Sequence, residues 1–210
     1  MLSKIAQNAA YFFVEKNFVK KEDEKIFAYG CEIFLSEGIN WLITIIIAIA
    51  TRSIAETALY MIAFVQTRES IGGFHAKTHL GCIVISTVVY VICLFLIYST
   101  PQNFYCSIMV GILLLHNGAV FKIAPIEHPN KPFSDNEKIR FRKKGRFLSS
   151  IYSGISILLM IVPLEICQRL SYSILLGLIS ASVSMVAEYM IQKTKKYNIS
   201  EKGGYTDEKV

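Results

Sequence analysis

Five stretches of the chain are apolar over about the thickness of a bilayer core: residues 33–51, 80–98, 104–124, 147–168 and 171–191. A spanning helix needs roughly 20 such residues. A sixth stretch, 54–67 ("IAETALYMIAFVQT"), is short for a full crossing. It must thin the bilayer locally or continue as a polar segment buried in protein. Residues 2–19 follow another pattern, with Leu2, Ile5, Ala6, Ala9, Phe12, Phe13 and Lys16 at roughly helical spacing. That spacing predicts an amphipathic helix, lying on the membrane surface or packed on the spans. The predicted fold class is therefore all-α, a polytopic membrane protein with about six transmembrane helices behind an N-terminal amphipathic helix. Its parts are an amphipathic segment over 1–28, a membrane domain over 29–192 and a polar tail over 193–210.

Composition agrees with this reading. The 210 residues are 53% hydrophobic and 18% charged, where a soluble domain sits near roughly a quarter charged. The formal charge of +6 is unevenly placed. Residues 131–146 hold seven cations (Lys131, Lys138, Arg140, Arg142, Lys143, Lys144 and Arg146) against two acids. Beside membrane spans, such a cluster points to a cytoplasmic loop facing anionic lipid, not to nucleic acid. Counting 54–67 as a span puts Lys4, Lys16, Lys20, Lys21 and Lys25, the 67–79 connection, the 125–146 loop, and Lys193, Lys195 and Lys196 on one side. The opposite loops carry only Arg52 and Arg169. Both termini are then cytoplasmic. No signal-peptide pattern opens the chain. The polar end, "SEKGGYTDEKV", has the composition of a disordered tail.

The chemistry concentrates in one place. In "RESIGGFHAKTHLGC", residues 68–82, Arg68, His75, Lys77, His79 and Cys82 surround Gly72 and Gly73 at the start of an apolar run. Ionisable groups at a membrane edge are costly and usually functional. The helix of that run is expected to start near Lys77 or Thr78, putting Cys82 about one turn in. A helix N-terminus and a nearby cation both favour a thiolate, and a nucleophile beside a base is the minimum for covalent acyl transfer. His75 and Cys82 are seven residues apart, roughly 10 Å along an ideal helix. That pair works only if the chain folds back at Gly72-Gly73, where glycine permits the turn. His79 stands three residues from Cys82 and needs no fold-back. Spacing alone leaves both histidines open. The other cysteines, Cys31, Cys93, Cys106 and Cys167, form no CxxC pair, so neither a structural zinc nor a disulfide framework is expected. Cys93, Cys106 and Cys167 lie in or beside apolar spans, as small hydrophobes do.

The same stretch resembles the AgrB family of membrane-embedded cysteine endopeptidases of Gram-positive quorum-sensing systems. The family pattern R-x-x-x-G-G-x-H-A, with a cysteine seven residues after the histidine, is met at Arg68, Gly72, Gly73, His75, Ala76 and Cys82. "IAPIEHPNKPFSDNEKIRFRKKGR" is similar to the family's cytoplasmic loop. The resemblance implies cleavage of the C-terminal part of an AgrD-type propeptide and support for its cyclisation to a thiolactone or lactone. It implies catalytic roles for His75 and Cys82, a bacterial cytoplasmic-membrane location and a homodimer, with no cofactor and no metal. Expected partners are the propeptide and membrane lipid, not nucleic acid.

Other readings stand beside this one. A membrane exporter of a small peptide would suit six spans, but transporters of this size often show an internal repeat, and none is evident here. A metalloprotease would call for HExxH, which is absent. His75, His79 and Cys82, with His116 or His128, match no common zinc spacing. Arg68 is read as a snorkelling residue, as a carboxylate clamp or as an organiser of the glycine turn. Lys131, Arg140, Arg142, Lys143 and Lys144 are candidates to bind an acidic propeptide tail. Gln66, Thr78 and Glu127 are candidates to orient the histidine or bind the oxyanion. Pro125, Pro129 and Pro132 predict a break after the fourth span. Glu37, Asn40, Asn117, Glu165 and Glu188 are expected to hold helices together.

Overall fold

The computed structural model describes residues 2–74, 76, 78–127 and 133–203, with the backbone alone at 2 and 196–203. Seven α-helices carry nearly all of them: α1 (Leu2–Glu15), α2 (Glu24–Ala50), α3 (Ile54–Ile71), α4 (His79–Ser99), α5 (Tyr105–Ile123), α6 (Asp135–Ile161) and α7 (Glu165–Gly203). Short 3-10 turns sit at Lys21–Asp23 and Gln102–Phe104, and no strand occurs among the described residues. Among the described residues, four stretches are long and apolar enough to cross a membrane: Lys21–Ala50, His79–Ser99, Gln102–Ile123 and Glu165–Lys195. The all-α membrane fold expected from the sequence is therefore present, while the count of six crossings rests on α3 and α6.

Backbone chemistry explains where the helices stop. At the end of α1, Asn17 takes a left-handed φ of 58°, and the Phe18 and Asn17 amides donate to Phe13 and Val14. Arg52 does the same after α2, at φ 55°, with Ser53 and Arg52 donating to Ala48 and Ile49. Both are Schellman closures built without glycine. Val162 and Ala124 are extended because each precedes a proline. Pro163 thus breaks the expected 147–168 run at Ile161, and Arg169, expected in a loop, lies inside α7. The 125–146 stretch also differs from its reading as one loop. Ser134 and Glu137 form a reciprocal capping box, so α6 begins at Asp135 and most of the cations lie on its first turns.

The chain forms two compact units, Met1–Ile54 with Ala76–Ile92, and Ala55–His75 with Cys93–Val210. In the first, α1 packs on α2 with Ala6 and Ala10 buried and the Phe13 and Phe27 rings 5.2 Å apart. Packing on α2 thus accounts for one face of the amphipathic helix. In the second unit, Ile71, Val120, Ala124, Ile126, Ala181 and Met185 form a core. Its inner surfaces are small and polar. Ser156 and Ser171 hydroxyls share a 2.9 Å hydrogen bond, and Asn117 Nδ2 donates to Ser153 Oγ. Where apolar side chains gain nothing by leaving lipid, close packing and hydrogen bonds hold helices together.

Candidate active site

The two halves of the sequence motif belong to different units. Cys82 lies in the first, on α4. The Thr78 Oγ1 accepts the Gly81 N–H at 3.1 Å, and the Thr78 carbonyl accepts the Cys82 N–H at 3.1 Å. Thr78 is therefore the N-cap, its hydroxyl used by the helix start rather than by an oxyanion. The Cys82 amide bonds back to that cap residue, one turn in, as the sequence predicts. A Cβ on Gly81 would stand 2.9 Å from the capping oxygen. His79, the first residue of α4, pairs through Nε2 with Glu32 Oε1 of α2 at 3.5 Å, which gives it a structural partner. Cys82 itself is half-buried. The same unit carries an apolar groove of about 810 Å³, lined by Ile5, Ala9, Phe18, Phe27, Phe34 and Leu35 among others.

The second unit builds the glycine turn. Its α3 ends at Ile71 because Gly72 enters the left-handed region at φ 79° and donates to the Arg68 carbonyl at 2.9 Å. This is the αL closure for which glycine is preferred. A Cβ on Gly72 would collide with the Ile126 carbonyl oxygen. The Ile126 amide, in turn, donates to the Ile71 carbonyl at 2.9 Å. Arg68 lies over the Phe64 ring and donates from Nη2 to the Phe74 carbonyl at 2.7 Å. Of its three sequence readings, the organiser of the glycine turn is the one these contacts match. The Phe74 N–H donates to both the carbonyl and the hydroxyl of Ser184 on α7, each at 3.0 Å. A Cβ on Gly73 would stand 2.7 Å from that hydroxyl. His75, the next residue, lies outside the described residues, as do Lys77, His128 and Lys131.

The segment after α5 is tied to the same unit. The Glu127 carboxylate holds Lys138 Nζ at 2.6 Å and accepts the Phe133 N–H, and its main-chain carbonyl accepts from Gln192. Lys138 beside it keeps the Glu127 carboxyl below the usual glutamate range. Gln66 accepts the Tyr152 hydroxyl at 2.8 Å. Arg146 donates to the Phe121 carbonyl, while Arg140, Arg142, Lys143 and Lys144 are exposed. The six described cations of the cluster therefore divide into two with structural partners and four presented outward. Among the described residues, no three His, Cys, Asp or Glu side chains come together as a metal site would require. Sequence reasoning missed Ser184 and Ile126. Ser184 lies 110 residues from Phe74, and a serine in an apolar helix carries no local mark of such a partner.

Known proteins supply an independent comparison. The profile of the AgrB family, accessory gene regulator B, matches residues 5–186. An AgrB-like protein of Clostridium perfringens strain SM101 is 27% identical over 164 residues, covering 75% of this chain and 77% of that protein. An AgrB-like protein 2 of C. perfringens strain 13 is 25% identical over the same shares. One from Listeria innocua is 24% identical over 74% of this chain and 76% of its own length. No solved structure matches the chain. A family match across nearly the whole sequence, on a helical chain with several membrane-length apolar segments, places this protein in the AgrB family, whose members act in processing agr quorum-sensing peptides.

Proposed function

We propose that the protein is a membrane-embedded cysteine endopeptidase that cleaves an AgrD-type propeptide through a thioester and passes the acyl group to an internal nucleophile of the substrate. Cys82 is the nucleophile and His75 its base. The observation that carries this reading is the position of Cys82, half-buried one turn into the capped start of α4 and seven residues after His75 in the chain. His75 takes the Cys82 proton, and the sulfur attacks the scissile carbonyl. The C–N bond breaks, and the C-terminal fragment leaves as an amine after protonation by the histidine. A substrate thiol or hydroxyl then attacks the thioester carbonyl, closes a thiolactone or lactone ring, and releases Cys82 as the thiol. Exchange between thioesters is nearly isoenergetic, so exclusion of water favours ring closure over hydrolysis.

In this reading the chain crosses the cytoplasmic membrane six times with both termini inside. The exposed Arg140, Arg142, Lys143 and Lys144 meet anionic lipid and the acidic tail of the propeptide, and the chain works as a homodimer. The test is propeptide cleavage by membranes, followed by mass spectrometry. Cys82→Ala and His75→Ala should lose cleavage by at least about a hundredfold, whereas His79→Ala, which removes only the Glu32 partner, should retain it. Cleavage surviving in Cys82→Ala would sink the peptidase reading.

A further inference from the structure

We propose that Ser184 is a positioning residue for the catalytic histidine, an inference that rests on the endopeptidase reading above. Phe74 immediately precedes His75, and both of its backbone polar groups are held. Its N–H is bound by the carbonyl and hydroxyl of Ser184, each at 3.0 Å. Its carbonyl is bound by the Arg68 guanidinium at 2.7 Å. A peptide unit is planar. The Ser184 contacts fix the plane before the Phe74 α-carbon, and the Arg68 contact fixes the plane after it. Together they hold the Phe74 backbone on both sides of its α-carbon.

The rest of the turn is shaped for this clamp. Ser184 Oγ would meet a Gly73 Cβ at 2.7 Å, closer than the Arg68 Nε at 3.3 Å. Gly73 is therefore bare because the hydroxyl stands there. Its φ is not in the left-handed region, where Gly72 alone among the described glycines lies, so glycine serves approach here and not backbone conformation. A serine within a helix ordinarily bonds the carbonyl four residues back. Here the hydroxyl turns outward to a loop amide that would otherwise share a single carbonyl with α7.

Substitution separates this role from simple packing. Ser184→Ala leaves the carbonyl contact and removes the hydroxyl, so the turn persists with one face loosened. A displaced base costs rate, not affinity. Cleavage kinetics on a synthetic propeptide, with purified full-length protein in lipid nanodiscs, should show kcat reduced about tenfold with KM unchanged. Ser184→Thr, which keeps a hydroxyl, should recover most of the loss. Gly73→Ala should be nearly inactive, and the double variant Gly73→Ala with Ser184→Ala should be more active than Gly73→Ala alone, because the crowded oxygen is gone. Cys82→Ala runs alongside. If it is inactive while Ser184→Ala matches wild type, or while the double variant gains nothing over Gly73→Ala, the clamp is overturned and the dyad stands. If Ser184→Ala instead raises KM with kcat unchanged, the positioning role is likewise refuted. If Cys82→Ala still cleaves, the peptidase reading falls, and the clamp with it.

Discussion

Single residues in this chain carry two kinds of charge chemistry, one on show and one tied down, and Glu127 belongs to the second. Its carboxylate sits against Lys138 Nζ at 2.6 Å and accepts the Phe133 amide, so its folded-state pKa lies below the ordinary glutamate value. A depressed pKa contributes stability that is present above the ordinary value and lost as the pH falls through the folded one. The pair is partly exposed, which limits it to about 0.2–1 kcal/mol. Exchange of the Phe133 amide, corrected for its intrinsic rate, should therefore quicken as the pH drops below about 4, the usual carboxylate range. Glu127→Gln should exchange faster at neutral pH and lack that acid-dependent step. Equal exchange in both proteins at neutral pH would mean that the carboxylate holds nothing there.

Helix contacts explain what was legible in the sequence and what was not. Apolar runs announced the helices, and Gly72 and Pro125 announced two ends, because those signals are local, while the break at Pro163 went unread. Gly72 could be read as a turn from its own chemistry. Ser184 could not, since its partner is far along the chain, and the short α3 did not show which of its sides would meet α7. That contact is made at Gly177, where a Cβ would stand 2.7 Å from the Tyr60 carbonyl oxygen and 3.2 Å from the Phe64 nitrogen. Backbone atoms do not yield as a side chain would, so Gly177→Ala should force α7 off α3 at a cost of about 1–3 kcal/mol. Gly154, in α6, has nothing within 4 Å of its would-be Cβ, so Gly154→Ala should be neutral or stabilising by up to about 1 kcal/mol. Thermal unfolding of both variants in detergent gives the contrast. A Gly177→Ala protein as stable as Gly154→Ala would show that the crossing is loose.

At the scale of the molecule, the number of crossings decides which face of the membrane the proposed chemistry occupies. If only the four membrane-length stretches cross, both termini still share a side, and fusions to the ends cannot distinguish four from six. The difference lies in the 72–78 turn and the 124–134 segment, which four crossings would place opposite the termini. Two features favour six. Four crossings would separate the exposed Arg140, Arg142, Lys143 and Lys144 from the N-terminal lysines, against the cytoplasmic bias of cations. And α6 is built inside out: Phe147, Ile151, Ile155, Leu158 and Ile161 are exposed, while Ser149, Ser153, Ser156 and Met160 on another face are buried. Water would favour the reverse, lipid favours this arrangement. A cysteine introduced at the exposed Asn136, with the five native cysteines replaced, should thus resist a membrane-impermeant maleimide in intact cells and react in inverted vesicles. Labelling in intact cells would put the segment outside, and a cytoplasmic active site would no longer be tenable.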